Sequence, residues 1–310
     1  SWQADLSPSP AANSNLYQRT GTAIQERVRP LWARQSDGTY SAGSSVVSFF
    51  YKSTSSYPHY ETASVSGKTM TYLHQSGWNG GTNVGSDFDI AYNPDVGGVA
   101  GSGRVMLIYK GEQWSRPTAQ IGRGPYSNGT WTWGSPKQLD SSNASQAHGL
   151  AYHGSDKFLA TYSQYGTHYA QVLSISSSNS STTVSDGARV QIESGAGNIS
   201  CMSRVSDKDN NGKHIIFYAY LIAGSRYGIR YVVASISGTT VTLGTPGWVG
   251  GESDYGYEVS RNFLQTSFDP DQNRFNVVYE IYNQSNGGSS INKAKARNAI
   301  ISGTSVTWSA

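Results

Sequence analysis

The chain has 310 residues, 23 basic against 20 acidic side chains and a net charge of +3, with 14% charged residues, 12% aromatic residues and 35 glycines. Charge this sparse excludes coiled coils and long-helix bundles, whose solvated faces need Glu, Lys and Arg, and it makes nucleic acid an unfavoured partner. The 21 tyrosines and 8 tryptophans argue against a disordered chain, and Cys201, standing alone, excludes an internal disulfide and a cysteine-ligated zinc.

No stretch reaches the ~20 apolar residues of a membrane helix, so no membrane insertion is expected. The N-terminus, Ser1 to Asp5, lacks the basic and apolar regions of a secretory signal. Residues 1–22 match nothing that follows and read as an arm. Beyond them a unit recurs five times. Its most visible mark is a polar turn containing Asp37, Asp95, Asp156, Asp209 and Asp271, at steps of 58, 61, 53 and 62 residues.

After each turn comes a nearly continuous apolar run: Ser45 to Tyr51, Arg104 to Tyr109, Lys157 to Tyr162, His214 to Tyr218 and Arg274 to Tyr279. Five to seven β-branched and aromatic residues in a row predict a strand buried on both faces. A more alternating segment follows, from His59, Pro117, His168, Ile229 and Asn292 onward. Then comes a small-residue turn and a short Thr- and Trp-rich strand, as in Ser237-Gly238-Thr239-Thr240-Val241-Thr242 and Ser302-Gly303-Thr304-Ser305-Val306-Thr307. With the strand ahead of the Asp turn, each unit holds four antiparallel strands. The expected fold is all-β: one five-bladed β-propeller of four-stranded antiparallel blades, at about 23–85, 86–145, 146–198, 199–260 and 261–310. Two sandwich domains are the alternative.

The stretch Asp209-Asn210-Asn211-Gly212-Lys213-His214-Ile215-Ile216-Phe217-Tyr218, continued by Tyr227 to Arg230 and Ser237 to Pro246, resembles a repeat of tail and other virion proteins of bacteriophages, especially aquatic ones. The last unit, from Asp269 to Phe275 and Ser302 to Trp308, is similar. Clear likeness covers these two units and faint likeness the other three. The resemblance implies an extracellular virion component, a tail-fibre adhesin or decoration protein, within an oligomeric assembly with other virion proteins or a cell-surface glycan as partners. No catalytic residue comes with it.

In a propeller the loops between second and third strands open on the same face as those leading into the next blade. That face collects Trp78, Trp114 with Arg116, Tyr227, Trp248, Tyr255 and Tyr257. Rings stack on the apolar face of a pyranose while neighbouring polar groups take its hydroxyls, so these seven are the candidate ligand-binding residues, for glycan or protein. The competing reading packs the same rings between blades or in a protein interface.

Enzymatic alternatives are a glycoside hydrolase or sialidase-like enzyme, and a secreted propeller lectin is the further non-enzymatic one. Paired carboxylates would be sought among Asp87, Asp89, Glu112, Glu252, Asp254 and Glu258. Ser127-Asn128-Gly129-Thr130-Trp131 resembles a sialidase turn but lacks its Asp and its spacing. No Gly-x-Ser-x-Gly elbow, Walker loop or His-x-x-x-His pair appears. His148, His153 and His168 read as packed or solvated residues rather than a base, and the Asp turns as Asx turns rather than calcium loops. No cofactor and no metal are expected, and the chain reads as a binding protein rather than an enzyme.

Overall fold

Twenty-three β-strands carry the chain in a computed structural model that describes residues 26–33, 45–52, 58–66, 69–78, 84–93, 103–111, 116–126, 128–141, 145–164, 167–175, 183–193, 203–223, 226–249, 258–283 and 291–309. The first 25 residues, which include the expected arm, lie outside the described residues.

The strands form five antiparallel sheets in chain order. Blade one is β1 (Glu26–Ala33), β2 (Ser45–Lys52), β3 (Pro58–Ser66) and β4 (Thr69–Gly77). Blade two is β5 (Val84–Asn93), β6 (Arg104–Gly111) and β7 (Arg116–Arg123), with β8 (Thr132–Trp133) and β9 (Lys137–Gln138) sharing the outer position. Blade three is β10 (Ser145–Gly154), β11 (Lys157–Gln164), β12 (Thr167–Ile175), β13 (Val184–Asp186) and β14 (Val190–Gln191). Blade four is β15 (Ser203–Val205), β16 (Lys213–Ala223), β17 (Arg226–Ser237), β18 (Thr240–Leu243) and β19 (Gly247–Trp248). Blade five is β20 (Glu258–Asp269), β21 (Arg274–Asn283), β22 (Ile291–Ser302) and β23 (Ser305–Ser309).

The first strands of successive blades touch one another, β1 with β5, β5 with β10, β10 with β15 and β15 with β20. Radial sheets sharing an axis in this way make a five-bladed β-propeller. The outer strand is single in blades one and five but broken in the middle three. The break falls at Gly134-Ser135-Pro136, Gly187-Ala188-Arg189 and Gly244-Thr245-Pro246. Two of these segments contain a proline that cannot donate to the ladder. In all three the leading glycine N–H still bonds the third strand, at Ile121, Val172 and Val233 (2.8–2.9 Å).

The apolar runs occupy the second position of each blade because that strand has a neighbouring blade on either side. Arg104 through Tyr109 are all buried, as are Phe158 through Gln164. Alternation divides β6 between two cores: Val105, Leu107 and Tyr109 join the first junction, Met106 and Ile108 the second. The core is thus four described clusters between blades. The first is aromatic, with Phe50, Tyr60, Trp78, Phe88, Tyr109 and Trp131, and the others are mainly aliphatic.

Polar ties cross the junctions near the axis. Asp89 accepts hydrogen bonds from the Ile90 and Leu150 amides, both at 3.0 Å, and so fastens β5 to β10. Arg204 donates from Nε to the Leu264 carbonyl at 3.2 Å, fastening β15 to β20. On the face of the first-to-second strand turns, Ser155 and Asp156 both take positive φ (51° and 60°), the geometry of a tight hairpin turn. Asp209 Oδ1 accepts from the amides of Asn211 and Lys213, and Asp269 Oδ1 from those of Asp271 and Gln272, which makes both Asx turns. On the same face His153 Nδ1 lies 3.1 Å from His214 Nε2, joining blades three and four.

Candidate functional site

Each outer strand of the first four blades is followed by an apolar residue that plugs the junction with the next blade: Trp78 after β4, Leu139 after β9, Ile192 after β14 and Val249 after β19. The last three repeat one backbone bond, their amides donating to Pro117, His168 and Ile229 (2.8–3.0 Å). The plug position explains Trp78. Expected on the open face, its side chain is instead 0% exposed and packs against Tyr109, Phe88 and Trp133, at 5.1, 5.8 and 6.3 Å between ring centroids. Trp78 therefore has no ring face open to a ligand and belongs to the core.

The residue after the plug is Asp140 in blade two and Glu193 in blade three, and each carboxylate reaches into the following blade. Glu193 accepts a 2.8 Å hydrogen bond from the Tyr218 hydroxyl and forms an ion pair with Arg230. Arg230 lies on β17 beside Val232 and Ala234, the face turned to blade three, where a charge needs a partner. Its guanidinium stands 4.9 Å from the Tyr220 ring centroid and 5.0 Å from that of Trp248. Those two rings are nearly perpendicular, at 88° with centroids 5.8 Å apart, so the cation sits in an aromatic corner. Arg230 also donates from Nη2 to the Pro246 carbonyl at 3.4 Å. Burial first, and then the hydrogen bond and charge of Glu193, raise the Tyr218 phenol above its ordinary range.

Between blades two and three the same chemistry is built from different positions. Asp140 pairs with Arg189, and Gln164 bridges them, donating to Asp140 at 3.0 Å and accepting from Arg189 at 3.0 Å. Arg189 lies 4.6 Å from the centroid of Tyr169. In register Tyr169 pairs with Tyr162 as Arg230 pairs with Tyr218, so a ring holds the guanidinium's place on the third strand, while Arg189 comes from the break ahead of β14.

Of the seven expected ligand residues, the structure puts Trp248 in the blade three/four corner, half-buried. Arg116 opens β7, half-buried, and donates to Gln138 at 3.0 Å, a separate place. Tyr227 lies in β17 opposite Leu221, with its side chain outside the described residues. Trp114, Tyr255 and Tyr257 lie outside the described residues altogether. Glu193, Tyr220 and Arg230 were not anticipated. The available signal was Arg230 itself, a charge within the run Ile229 to Ala234 that is otherwise apolar.

The carboxylates considered for catalysis do not gather among the described residues. Asp89 is the interblade tie described above, and Glu112, Glu252 and Asp254 lie outside the described residues. Asp207 is solvent-exposed but hemmed in by surrounding protein. That desolvation, joined by the charge of Asp89, raises its carboxyl. Among the described residues no group of three or more His, Cys, Asp or Glu is placed to hold a metal ion.

No known protein family and no curated protein matches the sequence. Solved structures do match in shape. A fucose-specific lectin from Aleuria aurantia superposes with a TM-score of 0.51 at 12% identity, over 91% of this chain and 77% of that one. A thermostable family-43 glycoside hydrolase gives 0.44 at 12% identity over 91% and 92%, and an α-L-arabinofuranosidase from Clostridium thermocellum 0.45 at 11% over 94% and 96%. At such identity the lectin speaks to the fold alone. Nothing in these comparisons links the chain to bacteriophages, and the virion role expected from the repeat resemblance has no support there.

Proposed function

We propose that the protein binds glycans, through the corner between blades three and four. One observation carries this reading: the Arg230 guanidinium, held by Glu193, between the half-buried rings of Tyr220 and Trp248. A pyranose needs a ring to cover its apolar face and oriented polar groups for its hydroxyls, and few other ligands need both together. The fold shared with a fucose-specific lectin supplies the scaffold of the reading, while the ligand class rests on the corner itself.

The test is retention on a glycan array. Trp248→Ala removes one wall without touching the ion pair, and the expected result is a loss of about tenfold or more in affinity, of the order of one lost stacking partner. Trp248→Phe should restore part of it. Retention unchanged in Trp248→Ala would refute the assignment.

Glycoside hydrolysis is the second reading, with Asp207, whose carboxyl is raised by desolvation and by Asp89, as its candidate proton donor. It requires turnover of an oligosaccharide that Asp207→Asn abolishes, and absence of turnover across a broad panel removes it.

A further inference from the structure

We propose that the junction between blades two and three is a second saccharide subsite, selective for a sugar carboxylate, which it grips with the Nε–Nη2 edge of Arg189. The proposal rests on the glycan-binding reading and adds to it a ligand class that the first corner does not suit.

At the first corner the guanidinium has no open edge. Arg230 gives Nη1 to Glu193 and Nη2 to Pro246, its Nε is buried, and its side chain is only 16% exposed. Two rings supply most of the surface, which favours a neutral sugar. At the second junction the proportions reverse. Gln164 stands where the first corner has Tyr220, two residues beyond the buried tyrosine of its strand, and Gln191 pairs with Tyr169 where Trp248 pairs with Arg230. Aromatic surface is traded for polar groups.

Arg189 has a side chain 43% exposed against 4% for its partner Asp140. Among the described residues both of its hydrogen bonds, to Asp140 and Gln164, leave from Nη1. That leaves Nε and Nη2, on a side chain nearly half exposed, as the parallel pair of donors whose fork matches a carboxylate in bidentate fashion. Tyr169 beneath the guanidinium and Gln164 beside it fix the orientation of that fork.

A second feature points into the same junction. The Tyr162 hydroxyl is buried and has no hydrogen-bond partner, although its counterpart Tyr218 donates to Glu193. Asp140, one methylene shorter than Glu193, is engaged by Gln164 and Arg189 instead. The seam that holds Arg189 thus also keeps a buried hydroxyl without a partner. Both junctions thus hold an acid, a guanidinium and an aromatic ring, drawn from different positions in the blade.

The experiment titrates the full chain with oligogalacturonate and with a sialyl oligosaccharide, each beside its methyl ester, and with the neutral glycan retained on the array. The free acid should bind at least about tenfold more tightly than its ester, the scale of a charge-assisted bidentate contact. Arg189→Lys keeps the charge for Asp140 but lacks the fork, and Arg189→Gln lacks both. Each should lose that preference while neutral-glycan binding survives. Trp248→Ala should do the opposite. Preference for the uronate or for the sialyl ligand identifies the source of the carboxylate.

Equal binding of acid and ester, full preference in Arg189→Lys, or loss of acid binding in Trp248→Ala would overturn the second subsite and leave the first standing. Binding of no glycan at all would overturn both. Thermal unfolding of Arg189→Lys near the wild-type temperature separates a lost contact from a lost fold.

Discussion

The imidazole pair joining blades three and four makes stability depend on pH in a calculable way. His214 is wholly buried, and its Nδ1 lies 2.9 Å from the Ser206 carbonyl, which can only accept. Nδ1 therefore carries the proton, and Nε2 accepts from His153 Nδ1. Burial lowers the His214 pKa to about 4, and the Ser206 bond opposes this only in part. His153 and Lys208 push it down further. His153 is lowered too, by burial and then by Lys208 and Lys157.

A histidine kept neutral in the fold but free to charge in the unfolded chain gives full stability above the unfolded pKa of 6.5. It loses about 1.4 kcal/mol for each pH unit below that until the folded pKa is reached. Between 6.5 and about 4 the whole effect is ~3 kcal/mol, and at pH 5 it is ~2 kcal/mol. His214→Gln is the decisive variant, because an amide donates to Ser206 and accepts from His153 without titrating. Urea denaturation of both proteins at pH 7 and pH 5 should show the wild type losing ~2 kcal/mol more than the variant. The raised Asp207 carboxyl works in the opposite sense, stabilising as pH falls, and cancels in the comparison. Parallel losses in the two proteins would show that His214 is not the titrating group.

Trp78→Ala should cost about 3–5 kcal/mol in a denaturant titration and leave glycan affinity unchanged in the surviving folded fraction, since the indole fills a junction. A stable variant with weakened binding would return Trp78 to the ligand surface. Burial raises the phenols of Tyr109, Tyr162 and Tyr218, so the stability they contribute is present below pH 10 and is lost as pH rises beyond it. In a spectrophotometric titration these phenolates should appear only together with loss of near-ultraviolet circular dichroism. Titration of every tyrosine in the still-folded protein would contradict the burial.

Much of the architecture was readable from sequence because propeller blades are built from local pairings. The described Asp turns fix the first hairpins of blades three to five, and runs such as Val105 to Tyr109 are apolar on both faces because a sheet flanks each side. The broken outer strands were less visible, since Pro136 and Pro246 look like loop residues until the glycines before them are seen to keep their bonds to β7 and β17. The site was harder still. Trp78 precedes Asn79-Gly80-Gly81 and so reads as a loop residue, yet it occupies the same plug position as Leu139, Ile192 and Val249. Glu193 and Arg230 are 37 residues apart and in different blades, so no spacing along the chain brings them together. Only the packing of one sheet against the next does so. Asp89 illustrates the same limit: offered by sequence among the candidate catalytic carboxylates, it spends both oxygens on backbone amides, one of them in another blade.

The described indoles are divided among the junctions. Trp78, Trp131 and Trp133 cluster between blades one and two, with the indole N–H of Trp131 donating to Ser48 at 3.1 Å. Trp248 belongs to the junction of blades three and four, and Trp308 sits 5.3 Å from Tyr231 in the core shared by blades four and five. The molecule therefore carries its own set of optical reporters, each local to one seam of the ring. Single-tryptophan versions would reveal in emission spectra whether the ring opens at one seam before the others or comes apart all at once, with no foreign dye attached.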